Sequence, residues 1–406
     1  MIIIGCWILI ILVRHNKHCC LQNTLMKDKI LIGLLLFLSV SGFARDRKPP
    51  ADSIPTKNLS GRQLLDKQIA AQFAPLIYQG LGDEPRADYI TNFDFDGDWK
   101  GDNNWNNLDN RKYHLRAFVY YSLLETITHY FIFYANFHPR DYKGGGAKTS
   151  ILDTLIKEGI RRAGKDPTGL ADDIALSHEN DLEGCLVVVE KHGANFKEAV
   201  VVYVEAMAHH YFNKYRTTNT RSSAGELIDL QEQHPMIFSE PKGHGVFSYS
   251  GSREQLKKSN NGVLMYEPKG RADDADEVRG KSLSYDLISL QETLWKRAEG
   301  GTNDTFGEAF DYGKIIVTGV KPDGKETKFE KKFGKIGTNF LGNVGFKNKA
   351  RPPWSWYDEA EKDRPPGEWF FNPAAIIARH FSLEQKFSLV YVYHPFLRIG
   401  VAEPGR

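Results

Sequence analysis

The segment Ser177-His178-Glu179-Asn180-Asp181-Leu182-Glu183-Gly184 runs without a break into Cys185-Leu186-Val187-Val188-Val189, and this junction constrains the fold more than any other stretch. The apolar run is too short for an ordinary helix and rich in β-branched residues, which predicts a buried strand. Alternate side chains of a strand share a face, so Asp181 and Glu183 point the same way. His178 can curl over them from the incoming loop. An imidazole beside carboxylate oxygens at the rim of a strand suits a hard or borderline divalent cation: Mg²⁺, Ca²⁺, Mn²⁺ or Zn²⁺. The same residues would also serve as a polar start to the strand, with a cap, an ion pair and a surface glutamate.

Other landmarks flank this one. Upstream, an aromatic strand from Tyr130 to Phe137 continues through His138 into a Pro139-Arg140-Asp141 corner. Downstream come Ala208-His209-His210-Tyr211-Phe212, then His234-Pro235-Met236-Ile237-Phe238, then Lys242-Gly243-His244-Gly245-Val246. In this order the chain resembles necrosis-inducing cytolysins of the NLP type. Those carry G-H-R-H-D-W-E after an aromatic strand ending in P-K-D, followed by a histidine segment and a G-x-H-A-like segment. A vacuolar protein-sorting-related family shares a similar H-x-x-D-x-E strand and a later G-S-H-A. The resemblance covers residues 115–250 and implies a β-sandwich with a metal held at one end, on Asp141, His178, Asp181 and Glu183. Leu182 stands where the cytolysins have tryptophan, and Asn180 where they have a second histidine. A long insertion also separates Asp141 from His178. The resemblance therefore extends better to metal binding than to toxicity.

Residues 26–44 read as an export signal: a basic start at Lys27 and Lys29, an apolar run, and small residues Gly42 and Ala44 at the −3 and −1 positions. Translation from Met26 would make residues 1–25 an upstream extension. Both apolar runs fall short of the ~18–20 residues of a membrane-spanning helix, so no transmembrane anchor is expected after signal removal. Removal takes away Cys6, Cys19 and Cys20 and leaves Cys185, so no intrachain disulfide is expected. It also removes Arg14, Lys17, Lys27 and Lys29 against Asp28, which brings the chain close to neutrality. Without a basic stripe, a nucleic-acid partner is not expected.

Residues 45–62 are polar and contain proline, and read as a linker. Residues 63–406 then form a single, mainly β domain, a jelly-roll-like β-sandwich with helical insertions at 142–176 and 250–300. Strands are predicted at 118–124, 129–137, 185–189, 199–204, 235–239, 314–320 and 387–393, and helices at 149–162 and 285–297.

A second acidic segment, Asp94-Phe95-Asp96-Gly97-Asp98-Trp99-Lys100-Gly101-Asp102, places carboxylates at positions 1, 3, 5 and 9. This spacing either wraps a structural Ca²⁺, with Gly97 at the tight bend, or is an Asp-rich turn. It resembles the D-x-D-G-D-x-x-x-D loops of integrin-type propeller repeats. An EF-hand is excluded by Trp99 at position 6.

Adjacent His209 and His210 on a strand would face opposite sides, so only one of them could join the metal end. His209 and His244 are each a metal-site supporting group, a proton carrier or a core histidine. Glu179 is the best-placed carboxylate for a general base. The aromatic clusters 354–357 and 369–371 would make a sugar-stacking or lipid-facing surface, or else core.

No nucleophile elbow, Walker loop, dinucleotide fingerprint or H-E-x-x-H occurs. Two classes remain: an exported metal-dependent protein binding a surface glycan or lipid headgroup, and a metal-dependent hydrolase.

Overall fold

The computed structural model describes residues 60–142, 177–277, 280–345, 348–383 and 387–401. The expected export signal, the upstream extension and the helix at 149–162 lie outside the described residues. The expected linker overlaps them only at 60–62, where a helix opens instead. Ser60 accepts the Gln63 amide on its side chain while the Gln63 side chain accepts the Ser60 amide, a reciprocal cap that starts Gly61–Phe73.

Among the described residues ten strands form the central sheet. Its middle is a run of consecutive antiparallel neighbours: Phe118–Thr126, His129–Asp141, His178–Glu190, Val200–Ala208 and Tyr211–Arg216. Lys314–Val320, Glu326–Lys332 and Tyr391–Tyr393 extend it on one side, Glu226–Leu227 on the other, and Asp286–Ser289 pairs in parallel with Phe118–Thr126. Against it lies a six-stranded mixed sheet in which Leu76–Gly80 sits between His234–Ser239 and Val263–Glu267.

Strand alternation sorts the central side chains into two cores. Val119, Tyr121, Ile132, Tyr134, Cys185, Val187 and Val189 pack with Ile77, Ile237, Leu264 and Phe73, from the second sheet and the first helix. Tyr120, Phe131, Phe133, Phe137, Leu186 and Val188 pack with Trp295, Trp354, Trp356, Trp369 and Phe370. Both faces being buried, these strands read as continuous apolar runs rather than alternating ones. Gly184 is required by this packing, because a Cβ there would sit 1.9 Å from the Tyr134 carbonyl oxygen.

Of the two readings of the aromatic clusters, core is the one found, since Trp354, Trp369, Phe370 and Phe371 are at most 3% exposed. Two expectations need correction. The stretch 250–300 is no insertion, because Val263–Glu267 and Ser282–Ser284 are strands of the second sheet. The helix expected at 285–297 is shorter, since Leu287 and Ile288 sit on the strand Asp286–Ser289 and helical turns run only from Gln291 to Ala298. Among the described residues no helix is long and apolar enough to cross a membrane.

Candidate metal site at the end of the central sheet

His129–Asp141 and His178–Glu190 pair in a register that sets His138 opposite Asp181 and Asp141 opposite His178. Regular alternation would put His178 and Asp181, three residues apart, on opposite faces. Asn180 breaks it: its φ of 60° is left-handed, a conformation asparagine tolerates better than most residues. The turn is held by its side chain, which donates to the carbonyls of Gly101 (2.7 Å) and Leu341 (2.9 Å) and accepts from Asn104 (2.7 Å).

The consequence is a cluster. One ligand atom each from Asp141, His178 and Asp181 lies within 4.8 Å of the others. The three residues are 2%, 3% and 7% exposed. His178 Nε2 is 3.3 Å from Asp141 Oδ2. Donors at ~2.0–2.6 Å from one ion can be no more than ~4–5 Å apart, so the spacing fits a shared cation. The cluster opens on a small cavity of about 30 Å³, whose wall also includes Glu183, His209, His210 and Arg351.

Glu183 stands outside the tight group of three. Its Oε1 accepts the His209 amide (3.1 Å), while its Oε2 is buried and accepts no hydrogen bond among the described residues. Burial first, then the charges of Asp181 and Glu240, hold its carboxyl well above the usual range. Among the described residues a second group whose ligand atoms lie equally close, His114 with Asp274 and Glu277, is at the surface.

His244 backs the cluster. Its Nδ1 is 2.9 Å from Asp181 Oδ2, and its Nε2 is 3.4 Å from Asp88 Oδ1. Burial would lower its pKa, but the hydrogen bonds and charges of Asp181 and Asp88 outweigh that and raise it to about 9. Asp88 is fixed in turn by the amides of Gly82 (2.6 Å) and Lys242 (2.7 Å). His138 stacks on His244, ring centres 3.7 Å apart and planes 4° apart. Burial, then the His244 charge, pushes His138 well below the usual histidine range. Asp88 and His138 were missed in the sequence. The signal available for His138 was its place three residues before Asp141 on the aromatic strand, and Asp88 had none.

His209 and His210 are not on a strand. They form the turn between Val200–Ala208 and Tyr211–Arg216, with His209 at φ 60°, and both reach the cavity wall. His209 Nε2 lies 2.8 Å from Glu240 Oε1, and the His210 ring stacks on Tyr357 with centres 4.8 Å apart. Glu179 is a correction. Its two oxygens accept the backbone amides of Trp105 and Asn343, each at 2.7 Å, and it is not on the cavity wall, so it cannot act as base there.

The acidic loop behaves differently. No three of Asp94, Asp96, Asp98 and Asp102 bring carboxylates together. Asp94 accepts from Asn92, Asp96 from Asn107 and the Asp98 amide, and Asp98 from Asn103 and the Lys100 amide. These are bonds within the turn.

No family profile and no curated protein matches the sequence. Three solved structures are similar to parts of it, each at 15% identity. Necrosis and ethylene inducing protein 2, from the causal agent of cocoa's witches' broom disease, aligns over 57% of this chain and 77% of its own, with a TM-score of 0.25. The non-toxic protein HaNLP3 aligns over 58% and 80%, with a TM-score of 0.25. A structure described as a toxin fold for microbial attack and plant defense aligns over 55% and 74%, with a TM-score of 0.24. None is a vacuolar-sorting protein. Likeness this slight says nothing of shared site or activity, so function is argued from this chain's geometry.

Proposed function

We propose that this protein is a divalent-cation-dependent binding protein that acts outside the cytoplasm. It engages a surface glycan or lipid headgroup through the end of the sandwich that carries Asp141, His178 and Asp181. The observation that carries this reading is the convergence of those three buried side chains, made possible by the left-handed Asn180. Burying Asp141, Asp181 and Glu183 together is costly unless positive charge compensates them. A cation would do so, and Glu183 Oε2 supplies a further buried acceptor for it. One imidazole nitrogen with carboxylate oxygens suits Zn²⁺, Mn²⁺, Mg²⁺ or Ca²⁺. The cavity has room for an ion and about one water, a shape better suited to presenting a cation than to enclosing a large substrate. In an exported chain near neutrality, attraction to anionic membranes would be weak, and the cation itself must supply affinity.

One observation favours the alternative of a metal-dependent hydrolase. His209 is paired with Glu240 at the cavity wall, and such a pair can take a proton from water. The deciding experiment measures binding of full-length protein to glycan arrays and to liposomes, with and without chelator. Wild type should bind only with metal, while His178→Ala and Asp181→Ala should fold but not bind. Chelator-sensitive hydrolysis of a phosphoester, ester or peptide panel, lost in the same variants and in His209→Ala, would replace binding with catalysis.

A further inference from the structure

The cavity that carries Asp141, His178 and Asp181 also has Arg351 on its wall. We propose that Arg351 makes this end of the sandwich selective for a carboxylate-bearing glycan. The cation takes one carboxylate oxygen and the guanidinium takes the other. The assignment rests on the reading that the sheet end holds a divalent ion.

Arg351 differs from other arginines in what it touches. Arg62, Arg86, Arg140, Arg297 and Arg379, all buried or half-buried, each pair with a carboxylate. Arg351 is half-buried too and shares its cavity with Asp141, Asp181 and Glu183, yet it forms no ion pair among the described residues. Its Nη1 makes a long contact, 3.5 Å, with His210 Nδ1, and its guanidinium carbon lies 5.3 Å from the centre of the Tyr357 ring. Tyr357 in turn stacks on His210. Two aromatic rings thus hold the guanidinium in place without supplying a full negative charge to neutralise it. Its Nε and Nη2 donate no hydrogen bond among the described residues, and neither is sealed from solvent.

Charge and room choose the ligand. Asp141 and Asp181 formally balance a divalent ion, so the Arg351 charge is left for the ligand to meet. A neutral hydroxyl on the ion would leave it unmet. A group with one negative charge shared by two acceptor oxygens meets both the ion and the planar fork of the guanidinium. The cavity, about 30 Å³, admits about one water beside an ion, so only a terminal group of a larger molecule enters. A flat carboxylate fits that space. A tetrahedral phosphate would have to seat two further substituents against the carboxylates of the wall.

Calorimetry tests this on full-length protein loaded with whichever of Zn²⁺, Mn²⁺, Mg²⁺ or Ca²⁺ it retains after desalting. The probes are methyl β-glucuronopyranoside, its neutral counterpart methyl β-glucopyranoside, and glycerol 1-phosphate. The glucuronide should bind saturably and at least tenfold more tightly than either comparator, and chelator should abolish its binding. Arg351→Ala should retain the ion but lose at least tenfold in glucuronide affinity, with affinity for the neutral glucoside unmoved. Arg351→Lys keeps the charge without the fork and should recover part of the loss. Should Arg351→Ala not fold, the partial loss in Arg351→Lys and the comparison of probes carry the test. Equal affinity for glucuronide and glucoside, tighter binding of glycerol 1-phosphate, or an unchanged glucuronide affinity in Arg351→Ala would each overturn the assignment while leaving the cation in place. Wild type that retains no ion would instead overturn the cation reading beneath it.

Discussion

The two acidic segments of this chain look alike on paper and are used in different ways. Asp94, Asp96, Asp98 and Asp102 have the more regular spacing, yet the carboxylates of Asp94, Asp96 and Asp98 bond to asparagine side chains and to amides of their own turn. Asp141, His178 and Asp181 come from two strands, 37 residues apart at the first gap by numbering, and their ligand atoms converge. Spacing along a chain creates opportunity, but convergence depends on backbone geometry and on which donors are nearby. In the loop, Asn92, Asn103 and Asn107 donate to these carboxylates. At the sheet end, the hydrogen-bond partners of Asn180 turn the backbone, so the Asp141 and Asp181 carboxylates meet the His178 imidazole.

The largest expected effect is on metal affinity. Asp181→Ala and His178→Ala should each weaken divalent-ion binding by at least ~100-fold, beyond the 10–100-fold typical of supporting residues, as titration calorimetry would read. Asp96→Ala should leave it unchanged. Equal losses in both segments would erase the contrast.

The next test concerns the turn that makes the cluster. Asn180→Ala loses three hydrogen bonds and strains a left-handed position, so a cost of about 2–4 kcal/mol is expected in denaturant unfolding. Asn180→Gly keeps the backbone conformation and should cost less. If both variants cost the same, the backbone conformation is not what matters.

How much of this was legible follows from the same physics. The strand Lys314–Val320 was readable end to end, and the apolar half of His178–Glu190 was too. Asp181 and Glu183 were read on the strand but His178 on the incoming loop, because five of the six leading residues are polar and only tertiary partners make that half buried strand. Leu76–Gly80 was missed because its pairings to His234–Ser239 and Val263–Glu267 span more than a hundred residues. Ser60 and Gln63, by contrast, carried a readable cap that the linker reading passed over. At the site, the residue types at Asp141, His178 and Asp181 were visible, but the left-handed Asn180, the turning away of Glu179 and the His138–His244 stack were not.

A smaller effect should separate the segments in stability. Chelator should lower the thermal midpoint of metal-loaded wild type, since a ligand at 100 times its Kd stabilises the folded state by about 2.7 kcal/mol. That shift should vanish in Asp181→Ala and persist in Asp96→Ala. The smallest effect expected is that of Asp96→Ala itself, about 1 kcal/mol from lost turn bonds. Were calcium instead to raise the midpoint of Asp181→Ala but not of Asp96→Ala, the loop would be a calcium site after all.

The central claim is that the sheet end holds a divalent ion, and elemental analysis of purified full-length protein tests it most directly. Wild type, as isolated or after exposure to Zn²⁺, Mn²⁺, Mg²⁺ and Ca²⁺ followed by desalting, should retain about one ion per chain. Asp96→Ala should retain as much and Asp181→Ala almost none. Wild-type protein that holds no ion under any of these loadings, or Asp181→Ala that holds as much as wild type, would contradict it.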